Sequence, residues 1–403
     1  MRFWLALLRP LLSALLLAAL AACGAPRPSS PTTVEPLRPA AQAVPDALLL
    51  DVNIAIFDAG IDALDPRRAT TTPGVRRAEA HYVPMRLRDT LAASRQWGLV
   101  RVVPDTARIV DVMVSGRILE SDGRELAVEV SVTDSSGTTW FTRRYHEAVS
   151  PYAYDMEIRR NKQPFQNLYN RIANDMQAYL DEQGLARRET LRHTSELRFA
   201  AHLAPDAFGG YVTTAANGRH ELARLPAEND PLLARVRRIR VRDEAFVDHL
   251  QQSYETFDRN MTPAYDRWRE ESLREAAARD ELNSEALLRT VGGALAVIGG
   301  ILAQTSDSVA VRNAGVIGIG GGAYSVYSGV EKHAQAQIHS DVLKGLSESL
   351  NEEVQPATIA LTDRTVELRG SVEAQYHQWQ DLLTQIYRLE SGTGDPAPEP
   401  LAE

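Results

Sequence analysis

Hydrophobic and polar positions divide the chain into a β-rich first part and a helical second part. LLLDVNIAIFDAG (48–60) is an apolar, β-rich run that ends in a turn signal. Helical spacing of Leu87 and Leu91 predicts a helix from about Val83 to Gln96, with Pro84 in its first turn. Four further runs read as strands: 99–103, 109–119, 126–134 and 138–149. The turns between the last three contain Asp122-Gly123 and Asp134-Ser135-Ser136-Gly137. Gly123 and Gly137 are therefore expected to be turn glycines, and Gly116 a close-packed strand position. Residues 165–184 place Leu168, Ile172, Met176 and Tyr179 on one helical stripe that stops at Gly184. The expected fold class is α+β: a β-α-β-β-β-β-α sandwich, with two helices on one sheet face, followed by a mainly α-helical region.

In the second part, residues 203–222 read as loop with a short hairpin around Asn217-Gly218. A long helix is predicted from about Asp243 towards Ser284, with Phe246, Leu250, Tyr254, Phe257 and Met261 at helical spacing and Pro263 as a boundary or kink. Another helix is predicted from about Tyr324 to Val354, a strand pair or extended segment over 357–372, and an amphipathic helix over 373–390. Two uncharged runs lie between them. Gly292, Ala296 and Gly300 recur every fourth position in the first, and Ala314, Gly318 and Gly322 in the second. Small residues at that interval let helix backbones approach closely, so 288–331 is expected to form a glycine-rich helical hairpin. At about 17 and 18 residues the runs lie at the lower limit for crossing a bilayer, and they carry many polar residues.

The amino end follows another pattern. Arg2 and Arg9 precede an apolar, uncharged stretch to Ala22, which reads as a secretory signal over 1–22. Cys23, the only cysteine of the chain, stands where that stretch ends. Leu20-Ala21-Ala22-Cys23 resembles the bacterial lipobox, in which a peptidase cleaves before a cysteine whose thiol carries diacylglycerol. The resemblance implies lipidation at Cys23 and a bilayer as partner through the acyl chains. With Gly24 rather than Asp next to the cysteine, it also implies the outer membrane, facing the periplasm. Residues 24–45 are rich in Pro, Ala, Ser and Thr, so 23–45 is expected to be a lipidated cysteine and flexible tether. The expected domains are then 46–186 and 187–390, with a disordered tail over 391–403.

Charge and motifs narrow the functional classes. With 44 basic and 53 acidic side chains the net charge is −9. That balance disfavours nucleic acid, and the basic run Arg235, Arg237, Arg238, Arg240, Arg242 reads as a solvated face. The nine histidines include no HExxH and no helical i, i+4 pair, and His333 and His339 do not share a face. No metal or other cofactor is expected. GIGGGA (318–323), with Asp341 beyond it, matches a loose dinucleotide fingerprint but lacks the strand and the βαβ context it would need. No GxSxG or SxxK nucleophile motif is present, and no small-molecule substrate is evident.

The run DVMVSGRILESDGRELAVEVSVTDSSGTTWFTRRY (111–145) resembles the strand and turn pattern of the TolB amino-terminal domain and of the related CsgG-like and penicillin-binding-protein-activator lipoproteins. The resemblance covers about 48–184 and rests on strand pattern and turn placement. It implies an envelope protein that binds a partner or oligomerises, and no catalytic residue to carry over. The expected function is thus a non-enzymatic outer-membrane lipoprotein acting in envelope assembly or partner binding. The alternative is a membrane-inserting component of a secretion or export assembly that uses the glycine-rich hairpin.

Overall fold

A computed structural model of the chain describes residues 34–64, 71–149, 151–154, 163–303, 342, 344–345, 348, 357–360 and 365–391. It is a mixed α and β protein built on one mixed sheet of five strands. These are β1 (Val52–Ala55), β2 (Val100–Val103), β3 (Val112–Ser121), β4 (Glu125–Asp134) and β5 (Thr139–Ala148), in the spatial order β2-β1-β3-β4-β5. β1 runs parallel to both neighbours, and β3, β4 and β5 form antiparallel hairpins.

β4 alternates strictly, so Leu126, Val128, Val130 and Val132 all point to one face. On that face lie α1 (Pro73–Ser94), with Val83, Leu87 and Leu91, and α2 (Gln166–Gln183), with Leu168, Ile172 and Met176. Tyr179 is only half-buried and stacks on Trp140 at 4.8 Å. At Gly184 (φ +74°) the chain turns into α3 (Leu185–Leu203). The expected domain boundary at 186 falls in the first turn of α3, whose Leu191 joins the same core.

α1 begins ten residues before the expected Val83, and Pro84 lies mid-helix rather than in the first turn. A proline there leaves the carbonyl four residues back without its donor. That carbonyl, Ala80 O, accepts the Phe57 N–H at 3.0 Å, so the bond is replaced from outside the helix. The true start is set by Thr72, whose hydroxyl accepts the Val75 N–H, and by Pro73 in the first turn.

Among the described residues after α3 the chain is mainly helical, with two small hairpins. After α4 (Pro205–Phe208), β6 (Val212–Thr214) and β7 (His220–Leu222) pair around Gly218, as the Asn217-Gly218 signal predicts. α5 (Pro231–Ala303) is a single helix of 73 residues, about 110 Å long at 1.5 Å per residue. It starts twelve residues before the expected Asp243 and passes through Pro263 without ending, so the proline is not a boundary. The buried row Phe257, Met261, Tyr265, Trp268 holds it to Val75, Ala78 and Tyr82 of α1 across the proline, so tertiary packing outweighs the lost bond. β8 (Ala357–Ala360) and β9 (Thr365–Leu368) form an antiparallel pair, and α6 (Val372–Ser391) follows.

The second sheet face is covered over β1, β2 and part of β3 by α3, α5 and α6. Val103, Met113 and Ile56 pack there with Phe199, Leu250 and Trp379. β2 is an edge strand, and α5 closes it: Gln251 accepts the Val102 N–H at 2.9 Å and donates to Val102 O at 2.5 Å. The side-chain amide thus replaces a missing strand partner. At the opposite edge β5 presents Arg143 and Arg144.

Residues 34–41 correct the expected free tether. They lie along α2, with Glu35 N–H on Asn167, Arg38 N–H on Asn174 and Ala41 N–H on Asp181, while Leu37 packs on the core.

Gly116 sits in β3 where a Cβ would lie 2.5 Å from the buried Phe57 ring. Gly116→Ala is expected to lower the unfolding free energy by about 1–3 kcal/mol through overpacking. Urea melts at equal m-value check this, and an unchanged midpoint would contradict the close approach.

Candidate functional site

Of the residues singled out from the sequence, Cys23, Ala314, Gly318 and Gly322 lie outside the described residues, as do the dinucleotide-like run 318–323 and His333 and His339. Gly292, Ala296 and Gly300 lie on α5. Gly123 (φ +84°) and Gly137 (φ +76°) occupy the β3–β4 and β4–β5 turns. Each turn touches the second half of the chain: a Cβ on Gly123 would lie 2.8 Å from Arg269 O, and one on Gly137 3.0 Å from Gly218 O. The structure therefore brings the turn glycines to the junction between the sandwich and the later helices rather than to one another.

Three of the buried carboxylates among the described residues stand at that junction and tie distant elements together: Glu79 on α1, Asp111 at the foot of β3 and Asp243 on α5. A buried carboxylate is costly unless it is paired and hydrogen-bonded, so its partners show what the site does. Asp243 Oδ2 meets Arg108 Nη1 at 2.8 Å, and both side chains are almost fully enclosed. Its Oδ1 accepts Trp379 Nε1 at 3.0 Å and Gln380 Nε2 at 3.3 Å. One side chain thereby fastens the β2–β3 loop, α5 and α6. A cavity of about 410 Å³ opens beside it, lined among others by Asp105, Arg108, His202, Tyr376 and His377.

Glu79 is completely enclosed. Its Oε1 accepts Tyr265 Oη at 2.6 Å and also Ser121 Oγ, and Arg76 Nε stands 4.0 Å from Oε2. Loss of solvent pushes the carboxyl above its ordinary value, against the pull of Arg76. Arg269, itself buried, lies over the Tyr265 ring at 4.3 Å and within 5.6 Å of Tyr82 and Tyr154, in cation–π geometry. The group joins α1, the end of β3 and α5.

Asp111 accepts the Asp51 N–H at 3.0 Å and Ser195 Oγ, with Arg192 at 3.6 Å. Burial raises its pKa, and the hydrogen bonds from Ser195 and the Asp51 N–H, with Arg240, oppose the rise. It borders a cavity of about 340 Å³ in which Arg192, Arg237 and Arg240 face Asp51, Glu196 and Glu244. Arg237 is held by Glu196 at 2.6 Å and Arg242 by Glu390, so these members of the basic run serve as ties between helices. The expectation of a purely solvated arginine face is corrected to that extent.

Perturbed acids next to cavities are the usual mark of reactive sites, and structural ion pairs produce the same shifts. Here Glu79 meets no solvent, and the oxygens of Asp111 and Asp243 accept bonds from groups that join elements far apart in sequence. The arrangement suits holding the helical half against the sheet. Among the described residues no three His, Cys, Asp or Glu side chains converge as a metal site would require, and no helix is long and apolar enough to cross a membrane. The buried carboxylates were not visible as candidates in the sequence, where each is one acid among 53. No protein-family model matches the chain, and no curated protein resembles it closely enough to count as a relative.

Proposed function

We propose that the protein is a lipid-anchored envelope protein of the outer membrane, facing the periplasm, that acts by binding a partner or a second copy rather than by catalysis. The observation that carries this reading is Cys23, the lone cysteine at the end of a signal-like segment and in a lipobox-like context. The sandwich, with β1 beside both β2 and β3, is compatible with the TolB-N and CsgG-like resemblance of residues 48–184. The engagement of Glu79, Asp111 and Asp243 in ties between elements accounts for their burial without a catalytic role.

Cys23→Ser is expected to abolish labelling by a fatty-acid probe and to move the protein to the soluble periplasmic fraction or leave it as precursor. Labelling that persists in Cys23→Ser refutes the anchor. A second reading, insertion of the glycine-rich hairpin into a bilayer, draws on the continuity of α5 through Gly292, Ala296 and Gly300 to Ala303. Retention in the membrane pellet after carbonate washing of Cys23→Ser from which residues 1–22 have been removed would favour it.

A further inference from the structure

The contact between residues 34–41 and α2 has a regular repeat. Three backbone amides of the linker, at Glu35, Arg38 and Ala41, donate to Asn167 Oδ1 at 2.7 Å, Asn174 Oδ1 at 2.8 Å and Asp181 Oδ2 at 3.2 Å. The acceptors are seven apart on the helix, two turns or about 10.5 Å at 1.5 Å per residue. The donors are three apart on the linker, about 9.3 Å at the 3.1 Å rise of polyproline II, which also has three residues per turn. The two repeats agree to within about 1.2 Å per step, close enough for each third amide to meet the next acceptor over the three bonds. Pro36 and Pro39 follow Glu35 and Arg38 directly, hold the residues before them extended and carry no N–H of their own.

The helix side of this contact is held in place by further bonds. Asn167 donates to Glu147 at 3.2 Å, Asn170 accepts from Gln166 at 2.9 Å, and Asp181 accepts from Gln177 at 2.8 Å. Asn170 and Asn174 are nearly fully enclosed, and their amide nitrogens donate to the linker carbonyls Glu35 O and Pro36 O. Buried amides are costly without partners, and the partners here are main-chain carbonyls of the linker together with the Glu35 carboxylate, which accepts from Asn174 at 3.2 Å. Recognition at this period runs mainly through the main chain, with Leu37 packed on the core, and selects for an extended, proline-spaced segment.

We propose that the Asn167, Asn170, Asn174, Asp181 face of α2 is a docking site for a polyproline-type segment, filled by the chain's own residues 34–41, and that docking shortens the tether to the anchor. The shortening rests on the lipid-anchor reading; the docking does not. Fully extended, the chain from Cys23 to Glu35 reaches about 40 Å, against about 80 Å from Cys23 to Asp46, at about 3.3–3.6 Å per residue.

Hydrogen exchange on the soluble full chain carrying Cys23→Ser tests the docking. The amides of Glu35, Arg38 and Ala41 are expected to exchange at least tenfold more slowly than in a free peptide of residues 30–44. Asn170→Leu with Asn174→Leu, and separately Pro36→Gly with Pro39→Gly, are expected to return them to the peptide rate. The proline pair lies outside the folded core, so it keeps the test valid if the asparagine pair disturbs α2. Peptide-rate exchange in the parent, or protection unchanged in the proline pair, overturns the docking site. For the acylated protein on a supported bilayer, neutron reflectometry should find the Pro36→Gly, Pro39→Gly layer further from the membrane. An unchanged layer overturns the shortening. Absence of acylation on Cys23 would remove this second readout and leave the exchange result standing.

Discussion

Asp243→Ala is expected to lower the unfolding free energy by about 3–5 kcal/mol, the range for removing one partner of a buried ion pair. The loss comes from what is stranded. Arg108 keeps its charge in a side chain only 6 % exposed, and the Trp379 indole N–H loses its acceptor on α5. Arg108→Met with Asp243→Leu removes both charges together and is expected to recover a large part of the loss, because no uncompensated ion remains. Denaturant melts of the parent, the single variant and the double variant measure the two differences. A single variant within 1 kcal/mol of the parent, by about the scale of exposed pairs, would mean that the pair is solvated.

Glu79→Gln is expected to change the pH dependence of stability. The folded state holds the Glu79 carboxyl above its ordinary 4.5 because burial disfavours the anion. Below 4.5 both states are protonated and the stabilising contribution of the neutral acid is fully present. As pH rises through the folded value that contribution is lost, since the unfolded chain ionises first and the folded state binds more protons in the window between. Each tenfold difference in proton affinity is worth about 1.4 kcal/mol. The amide introduced by Glu79→Gln does not titrate, so the stability of the variant relative to the parent should rise from about pH 4.5 upward. Arg76 on α1, Arg269 and Tyr265 on α5 and Ser121 on β3 face the group and set a constant offset; the slope comes from Glu79. A difference that is flat between pH 4 and 8, about the range in which carboxyl groups of this kind titrate, would contradict the shift.

The strands and α2 were legible because their signals are local. β4 alternates, the turns carry Gly123 and Gly137, and Gly184 stops the stripe of α2. The start of α1 was hidden because Arg76, Arg77 and Glu79 interrupt its apolar stripe. Two of these, Arg76 and Glu79, are buried beside one another, Arg76 bonded to Leu119 O of β3 and Glu79 to Tyr265 of α5. Pro84 reads as a helix start unless one knows that Phe57 supplies the missing donor, which no short window contains. The early start of α5 was masked in the same way, since VRRIRVR has the composition of a surface and yet turns Val236 and Ile239 into the core. Residues 34–41 have the composition of a free linker, and only the amide spacing of a helix that begins to meet them 132 positions away gives them a place. The three buried acids are defined by partners far along the chain, so spacing within the sequence could not single them out.

The cover of the second sheet face also fixes an order of assembly. The β3–β4 and β4–β5 hairpins close loops of a few residues, whereas Gln251 meets Val102 across 149 positions and Trp379 meets Asp243 across 136. Loop-closure entropy rises with length, so the hairpins are expected to form first and the helical cover to dock late. Until α6 is present, Val103 and Met113 have only part of their packing partners, and the β2 edge stays unpaired until Gln251 arrives. A chain delivered from its amino end therefore exposes an apolar face and an open strand edge for most of its length. Truncations that remove α6 should leave that adhesive surface uncovered, which makes aggregation rather than simple loss of a domain the expected consequence of shortening the chain.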